Sequence, residues 1–397
     1  MTTFVRTAPP PAPQAISPAP TLVVFTLTAI MSAGQLYSVI PLLADMAADW
    51  RSTPDGLSWL VTAFGIGYAA GFLAFGPLSD RYGRRRMIGI GLPLAAIVTA
   101  LVALSPGQEV ALGLRVLQGL VVAIFPPAAL SYLAERLEPR HRMVGITVVT
   151  SGFLAAAVLF QIAAQALVGV VGWRGLFVGS AVLFAAAAVA TRLIMRPDET
   201  RDRAGSLTAA YRAIPALLGN PALVLRCLAT VTVLLTFVAA YTGLQINGTP
   251  DLLALRAGGL PSLLLIPLLM PWLARVPAIP RALAAFALGS LSLALVAVTG
   301  PGTVGLTLLL AVYVAAVALV TPSLNVSIVA LAGQARGAAL ALFTFALFLG
   351  GSLGPQLAAA FPGLTPLMYG LAAALLAGAL AVYVSTRKKI SARKEDA

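Results

Sequence analysis

Five charged residues arrive together between two long apolar runs, in the stretch Gly76-Pro-Leu-Ser-Asp80-Arg-Tyr-Gly83-Arg84-Arg85-Arg86. A carboxylate such as Asp80 can accept hydrogen bonds from the free N–H groups at a helix start, where the helix dipole favours negative charge. The simpler reading is that it balances the neighbouring arginines. Gly76 removes a side chain where one helix presses on another, and Gly83 allows a turn. Arg84, Arg85 and Arg86 suit headgroup phosphates, and one of them can pair with Glu135. A second polar group is Arg115, within an apolar run in Leu114-Arg115-Val-Leu-Gln118-Gly119, with Gln118 one turn further on and on the same side. An arginine there costs about 2.5–3.5 kcal/mol at a span centre. Either polar partners inside the protein offset that, or the side chain snorkels to the headgroups.

These residues need long helices to position them. The 397-residue chain is 59% hydrophobic and 10% charged, against about 25% charged in a soluble domain. It is an integral membrane protein. The net charge of +13 comes from arginines in short loops, which face anionic inner-leaflet lipids rather than nucleic acid. A single cysteine, Cys227, excludes an internal disulfide, and a single histidine, His141, leaves no Cys/His metal cluster.

Apolar runs long enough for about 20 helical residues each fall at 21–44, 57–78, 87–104, 110–133, 144–168, 174–195, 222–245, 257–273, 282–299, 304–330, 337–359 and 366–385. The sequence therefore predicts an all-α membrane protein: twelve transmembrane helices in two six-helix bundles related by a pseudo-two-fold axis. The bundles cover 21–195 and 222–386, joined by a charged linker over 196–221. A Pro/Ala-rich tail over 1–20 reads as disordered and without a cleaved signal peptide, and 387–397 is a basic tail. Trp50, Trp59, Trp173 and Trp272 suit the membrane interface. With both termini cytoplasmic, 22 Lys and Arg fall on the cytoplasmic side and only Arg51, Arg174 and Arg256 on the other, leaving Arg115 alone within a span.

Neutral polar residues within the spans are expected to line a central cavity: Gln35, Tyr37, Ser38, Gln161, Gln165, Tyr241, Gln245, Thr321, Ser323 and Asn325. Singly, each can also be a helix-to-helix hydrogen bond. The four-residue spacing of Gln161 and Gln165 puts both on one face. As a set they favour a neutral, amphipathic or anionic small molecule. No carboxylate falls at mid-membrane, since Asp45, Asp49, Asp55, Glu109 and Asp251 lie towards one face and the other acidic residues towards the opposite one.

The stretch from Gly76 to Arg86 resembles the signature between the second and third helices of the major facilitator superfamily. Arg115-x-x-Gln118-Gly119 is similar to a fourth-helix pattern of its drug and sugar efflux members, and Gly172-Trp173-Arg174 opens the sixth span as in many bacterial members. The second half carries an eroded copy of the signature at Pro271–Arg281, in which only Leu273 and Arg281 match by type. The resemblance implies alternating-access transport of a small solute by a monomer in a bacterial inner membrane, without a cofactor. It further implies that Asp80 meets the start of the eleventh span near Arg336-Gly337, in a latch that opens and closes the cytoplasmic side, and that Arg115 belongs to proton coupling.

Two departures matter. A proton-driven cation exporter usually exposes a cavity carboxylate, so coupling here falls to Asp45, Asp80 or Glu135 with Arg115 as electrostatic partner. The fifth-helix Gly-Pro motif of antiporter-type members is replaced by Thr150-Ser151-Gly152-Phe-Leu-Ala-Ala-Ala-Val, whereas Gly350-Gly351-Ser-Leu-Gly354-Pro355 stands on the eleventh span. Three functions stay open: proton-coupled efflux, uncoupled movement or import of a neutral or anionic solute, and a non-transporting receptor or assembly factor. No nucleophile, base or metal set suggests an enzyme.

Overall fold

A computed structural model describes residues 17–198, 207–333 and 335–395, with a few side chains within them, Asp80 among these, outside the description. Its described residues are helices and short connections. The twelve spans are α1 Pro18–Ser38, α2 Trp59–Tyr82, α3 Arg84–Ala103, α4 Gln108–Val122 continuing as Phe125–Arg136, α5 over 139–171, α6 over 173–194, α7 Pro221–Ile246, α8 Leu252–Ala257 continuing as Leu260–Leu273, α9 Ala278–Thr299, α10 Thr303–Val329, α11 Arg336–Ala359 and α12 Leu364–Glu395.

Hydropathy alone marks eleven helices able to cross a membrane among the described residues. The twelfth is concealed in the helix Pro139–Ile194, whose 56 residues would extend about 84 Å at the α-helical rise. That is well over twice the hydrocarbon thickness of about 30 Å. Gly172 (φ 67, ψ 171) breaks it. Such a φ suits glycine, and the chain doubles back there. Gly145 packs against Leu22 near one end, Asp198 reaches Arg85 and Arg86 beyond the other, and Trp173 at the break meets Asp49. The two ends of the hairpin thus lie at the face that carries the Arg84 to Arg86 loop, here termed the basic face, and Gly172 lies at the opposite face.

The two bundles repeat one packing scheme. In the first, α1 packs on α5, α2 on α4, and α3 on the α5–α6 hairpin; in the second, α7 packs on α11, α8 on α10 and α9 on α12. Gly119 of α4 sits against the Phe64 carbonyl of α2, and Gly350 of α11 against the Val231 carbonyl of α7. Any side chain at either position would separate the backbones. Large apolar side chains such as Val170, Leu193, Leu268 and Val304 are exposed on the outer surface, as lipid-facing residues are.

The eroded signature keeps part of the first one's geometry. Arg84 Nη1 donates to the Ser79 carbonyl at the end of α2 (2.8 Å) and Nη2 to Glu135 on α4 (2.9 Å). Arg281 Nη1 donates to the Leu273 carbonyl at the end of α8 (3.1 Å) and Nε to Ser323 on α10 (2.8 Å). Each arginine closes its turn and ties three helices.

Several expectations are corrected. Arg115 is not the only arginine within the spans: Arg226, Arg256 and Arg281 are buried too, because each finds oxygen acceptors inside its bundle or between bundles. Gly76 does not press on a neighbour, since no described atom lies within 4 Å of where its Cβ would stand. Trp59 and Trp272 are exposed as interface residues are, but Trp173 is buried at the hairpin, ring to ring with Trp50 at 5.0 Å. The linker contains the helix Leu207–Leu218, and Tyr211 Oη donates from it to the Ala74 carbonyl of α2 (2.7 Å). Residues 1–16, most of the expected N-terminal tail, lie outside the described residues.

Candidate functional site

Two guanidinium groups organise the polar interior. The first is Arg115 on α4, fully buried. Its Nε donates to the Leu60 carbonyl (3.1 Å), Nη1 to Gln118 Oε1 (2.7 Å) and Nη2 to the Gln35 carbonyl (2.9 Å). Gln118 Nε2 in turn donates to Gln35 Oε1 (3.2 Å) and Thr99 Oγ1 (2.8 Å). The group also lies over the Phe64 ring, 4.4 Å from its centroid. The snorkelling alternative is therefore excluded. Charge-assisted bonds and a cation–π contact offset the burial; the side chain ties α1 and α2 to α4, and Gln118 extends the network to Thr99 on α3.

The second guanidinium, Arg256, opens α8 and is fully buried as well. Nε donates to Gln161 Oε1 (3.1 Å), Nη1 to Gln165 Oε1 (2.5 Å) and Nη2 to Gln245 Oε1 (2.7 Å). Gln161 and Gln165 stand one turn apart on α5, in the first bundle, whereas Arg256 and Gln245 belong to the second. Four polar residues that are far apart in sequence thus form one bridge between the bundles, close to the opposite face.

A second bridge lies at the same face. Gln356 Nε2 on α11 donates to Ser58 Oγ and Thr62 Oγ1 at the start of α2, both at 3.1 Å. From there α2 and α11 stay in contact towards mid-membrane: Gly65 faces Ser352, Tyr68 meets Phe348 edge-on at 4.6 Å, and Phe72 stacks on Phe348 at 5.4 Å. Gly76, one turn further towards the basic face, has no described atom within 4 Å of where a Cβ would stand. The bundles are closed at the opposite face; at the Gly76 position, towards the basic one, no described atom of α11 meets α2, and the linker helix Leu207–Leu218 contacts both helices.

Of the other expected cavity residues, Ser38 is buried, with Oγ donating to the Gln35 carbonyl (3.3 Å). Tyr37 is buried with its ring edge-on to Phe237 of the other bundle at 6.2 Å. Tyr241 is buried on α7 and joins neither arginine network. Asn325 is half-buried on α10 and lies apart from both. Ser323 is engaged by Arg281. Among the described residues, six buried polar atoms on α1, α2 and α7 have no hydrogen-bond partner: Thr26 Oγ1, Ser32 Oγ, Gln35 Nε2, Tyr68 Oη, Tyr241 Oη and Thr242 Oγ1. Buried polar groups without partners are uncommon. A set of them on the helices that face each other marks this region as one that meets other polar groups at some stage.

At the basic face, Asp198 Oδ1 and Oδ2 accept from the backbone N–H groups of Arg85 and Arg86, each at 3.1 Å. A residue following α6 thereby supplies the N-terminal carboxylate of α3, held beside Gly83 (φ 101). Arg85 Nη2 donates to the Arg192 carbonyl (3.0 Å). The Arg84–Glu135 pair lies within the first bundle, so it cannot by itself hold the two bundles together. The side chain of Asp80 is outside the described residues.

Sequence reasoning missed Arg256, Gln356, Ser58, Thr62 and Asp198. The available signal for Arg256 was its apolar setting, Leu252-Leu-Ala-Leu-Arg256-Ala, together with an excess of span glutamines. Among the described residues no group of three or more His, Cys, Asp or Glu could hold a metal ion.

Residues 25–355 match the family model described as Major Facilitator Superfamily. The probable transporter SCO4007 of Streptomyces coelicolor is 34% identical over 200 residues, 49% of this chain and 45% of its own. The multidrug efflux pump LfrA of Mycolicibacterium smegmatis is 32% identical over 165 residues, 41% of this chain and 32% of its own. The tetracenomycin C resistance and export protein of Streptomyces glaucescens is 29% identical over 189 residues, 47% of this chain and 35% of its own. Each match spans less than half the length of the relative.

Proposed function

This chain belongs to the Major Facilitator Superfamily, and from that premise we propose that it is a secondary transporter, not an enzyme, exporting a small solute by alternating access. The observation that carries the reading is one-sided closure. Arg256 with its three glutamines and Gln356 with Ser58 and Thr62 bridge the bundles at one face, while towards the other no described atom lies within 4 Å of where a Cβ at Gly76 would stand. Rocking of two bundles about the α2–α11 contact exposes a site between them to each side in turn. The basic face is read as cytoplasmic by the positive-inside rule, which makes this the inward-facing state of a protein in a bacterial inner membrane, with both termini inside. The relatives' names, an efflux pump and an export protein, favour the outward direction.

Proton coupling is part of the proposal, carried by Asp45, Asp80 or Glu135 near the membrane faces. A second reading, uncoupled movement of solute down its gradient, is favoured by one observation: every hydrogen bond from Arg115 goes to a neutral oxygen. Proteoliposomes holding the full chain as a monomer, loaded with a panel of dyes, sugars and organic acids, separate the two. Flux that follows an imposed pH gradient and stops with a protonophore supports coupled export. Flux that ignores the gradient selects the second reading. Folded protein that moves no member of the panel overturns both.

A further inference from the structure

Arg256 carries a charge that its surroundings solvate but do not neutralise. Its three acceptors are amide oxygens, and no carboxylate contacts it among the described residues. The nearest acid in sequence, Asp251, is exposed and accepts instead from Thr303 Oγ1 (3.1 Å). A buried cation is costly unless an opposite charge meets it.

A second, independent observation lies beside it. The Tyr241 hydroxyl is buried without a partner and rests against Gly259, three residues beyond Arg256, at 3.4 Å from where a Cβ would stand. Tyr241 continues an aromatic wall, with Phe237 at 5.0 Å from its ring and Tyr37 of the other bundle on Phe237. When the bundles separate at this face, Gln161 and Gln165 leave with α5 and Gln245 stays with Arg256. That frees two charged donors, Nε–H and an Nη1–H, which lie on different sides of the guanidinium and can each donate to an anionic oxygen. The unpartnered hydroxyl and an apolar wall flank the same place.

We propose that Arg256 and Tyr241 form the binding site for an organic anion, a carboxylate on an apolar or aromatic body, and that Gln161 and Gln165 occupy the guanidinium when the anion is absent. The anion counts as cargo only if the transport reading above holds; the binding site does not depend on it. On closure, the two glutamines displace the anion and let the bundles meet with the site empty.

The test is equilibrium binding, read as a shift in the thermal unfolding midpoint of the purified full chain. The probes are benzoate, 1-naphthoate and hexanoate, each compared with its primary amide. At least one acid is expected to raise the midpoint while its amide does not. In Arg256→Gln the acid should bind about tenfold or more weakly, the loss of a charge-assisted contact. Gln245→Glu supplies a resident carboxylate, so it should raise the midpoint of the unliganded protein and abolish the shift by the acid; it carries the test if Arg256→Gln does not fold. Equal shifts by acid and amide, no shift by any acid, or an acid shift that survives Gln245→Glu overturns the proposal. Flux in proteoliposomes is read separately. Arg256-dependent binding without flux removes the transport reading and leaves the anion site, whereas flux of uncharged compounds without acid binding does the reverse.

Discussion

Arg256 of the second bundle and Gln161 of the first lie 95 positions apart in the chain, yet Nε and Oε1 are 3.1 Å apart in a fully buried contact. With Gln165 the same guanidinium holds the bundles at two points on one face. The double variant Gln161→Ala/Gln165→Ala removes both while leaving Arg256 its bond to Gln245. Each charge-assisted bond is worth about 1.5–3 kcal/mol, and about 1.4 kcal/mol changes a two-state ratio tenfold. The population open at this face should therefore rise at least about tenfold. Replacing the single native Cys227 with Ser and placing a cysteine at Ser58 allows labelling by an impermeant maleimide to measure it. An unchanged labelling rate would show that these bonds do not latch the face.

Arg115 has a different role, because all its partners lie within one bundle. Arg115→Lys keeps the charge but cannot reach three divergent acceptors on α1, α2 and α4 at once. Each buried acceptor left unmet costs about 1–3 kcal/mol, so the thermal midpoint should fall clearly. Glutamine exchange at Gln118 should fall less, since Arg115 keeps its two backbone acceptors. A lysine variant as stable as the native protein would mean that the network is not needed for packing.

The contrast between the two arginines shows what was legible in the chain. Arg115 sits mid-run with Gln118 one turn away, so both the cost of burial and one partner were visible together. Arg256 follows Thr249-Pro-Asp251 and precedes Gly258-Gly259, residues that read as a loop, and its α5 partners are more than ninety positions distant. Local pattern cannot show that a charge near a loop turns inward to meet another bundle. The spans, the basic face and the reversal near Gly172 were legible because length against membrane thickness and charge asymmetry fix them. Asp198 was not, because its carboxylate caps a helix more than a hundred positions earlier.

That cap leads to a local test. Asp198→Ala removes the acceptor for two backbone N–H groups at the start of α3, a change worth about 0.5–2 kcal/mol at a helix N-terminus. Hydrogen exchange at the Arg85 and Arg86 amides should accelerate while the amides at the centre of α3 keep their protection. Uniform exchange across the helix in both proteins would show that Asp198 does not cap it.

Two glycines on helices that meet between the bundles should respond in opposite ways. Gly350 faces the Val231 carbonyl within the second bundle, a contact that rocking of whole bundles does not break. Gly350→Ala overpacks it, which costs about 1–3 kcal/mol and should lower the thermal midpoint in every state of the cycle. No described atom lies within 4 Å of where a Cβ at Gly76 would stand in this conformation, so Gly76→Leu should leave the midpoint within the roughly ±0.5 kcal/mol of a surface change. Yet in the proposed cycle, closing the basic face brings α2 and α11 together at this level, where a leucine at position 76 would stand in the contact. Flux in proteoliposomes should therefore fall several-fold in a protein of native stability. If Gly76→Leu transports as the native chain does, α2 never makes a close approach at that position, and closure of the basic face must run through other helices.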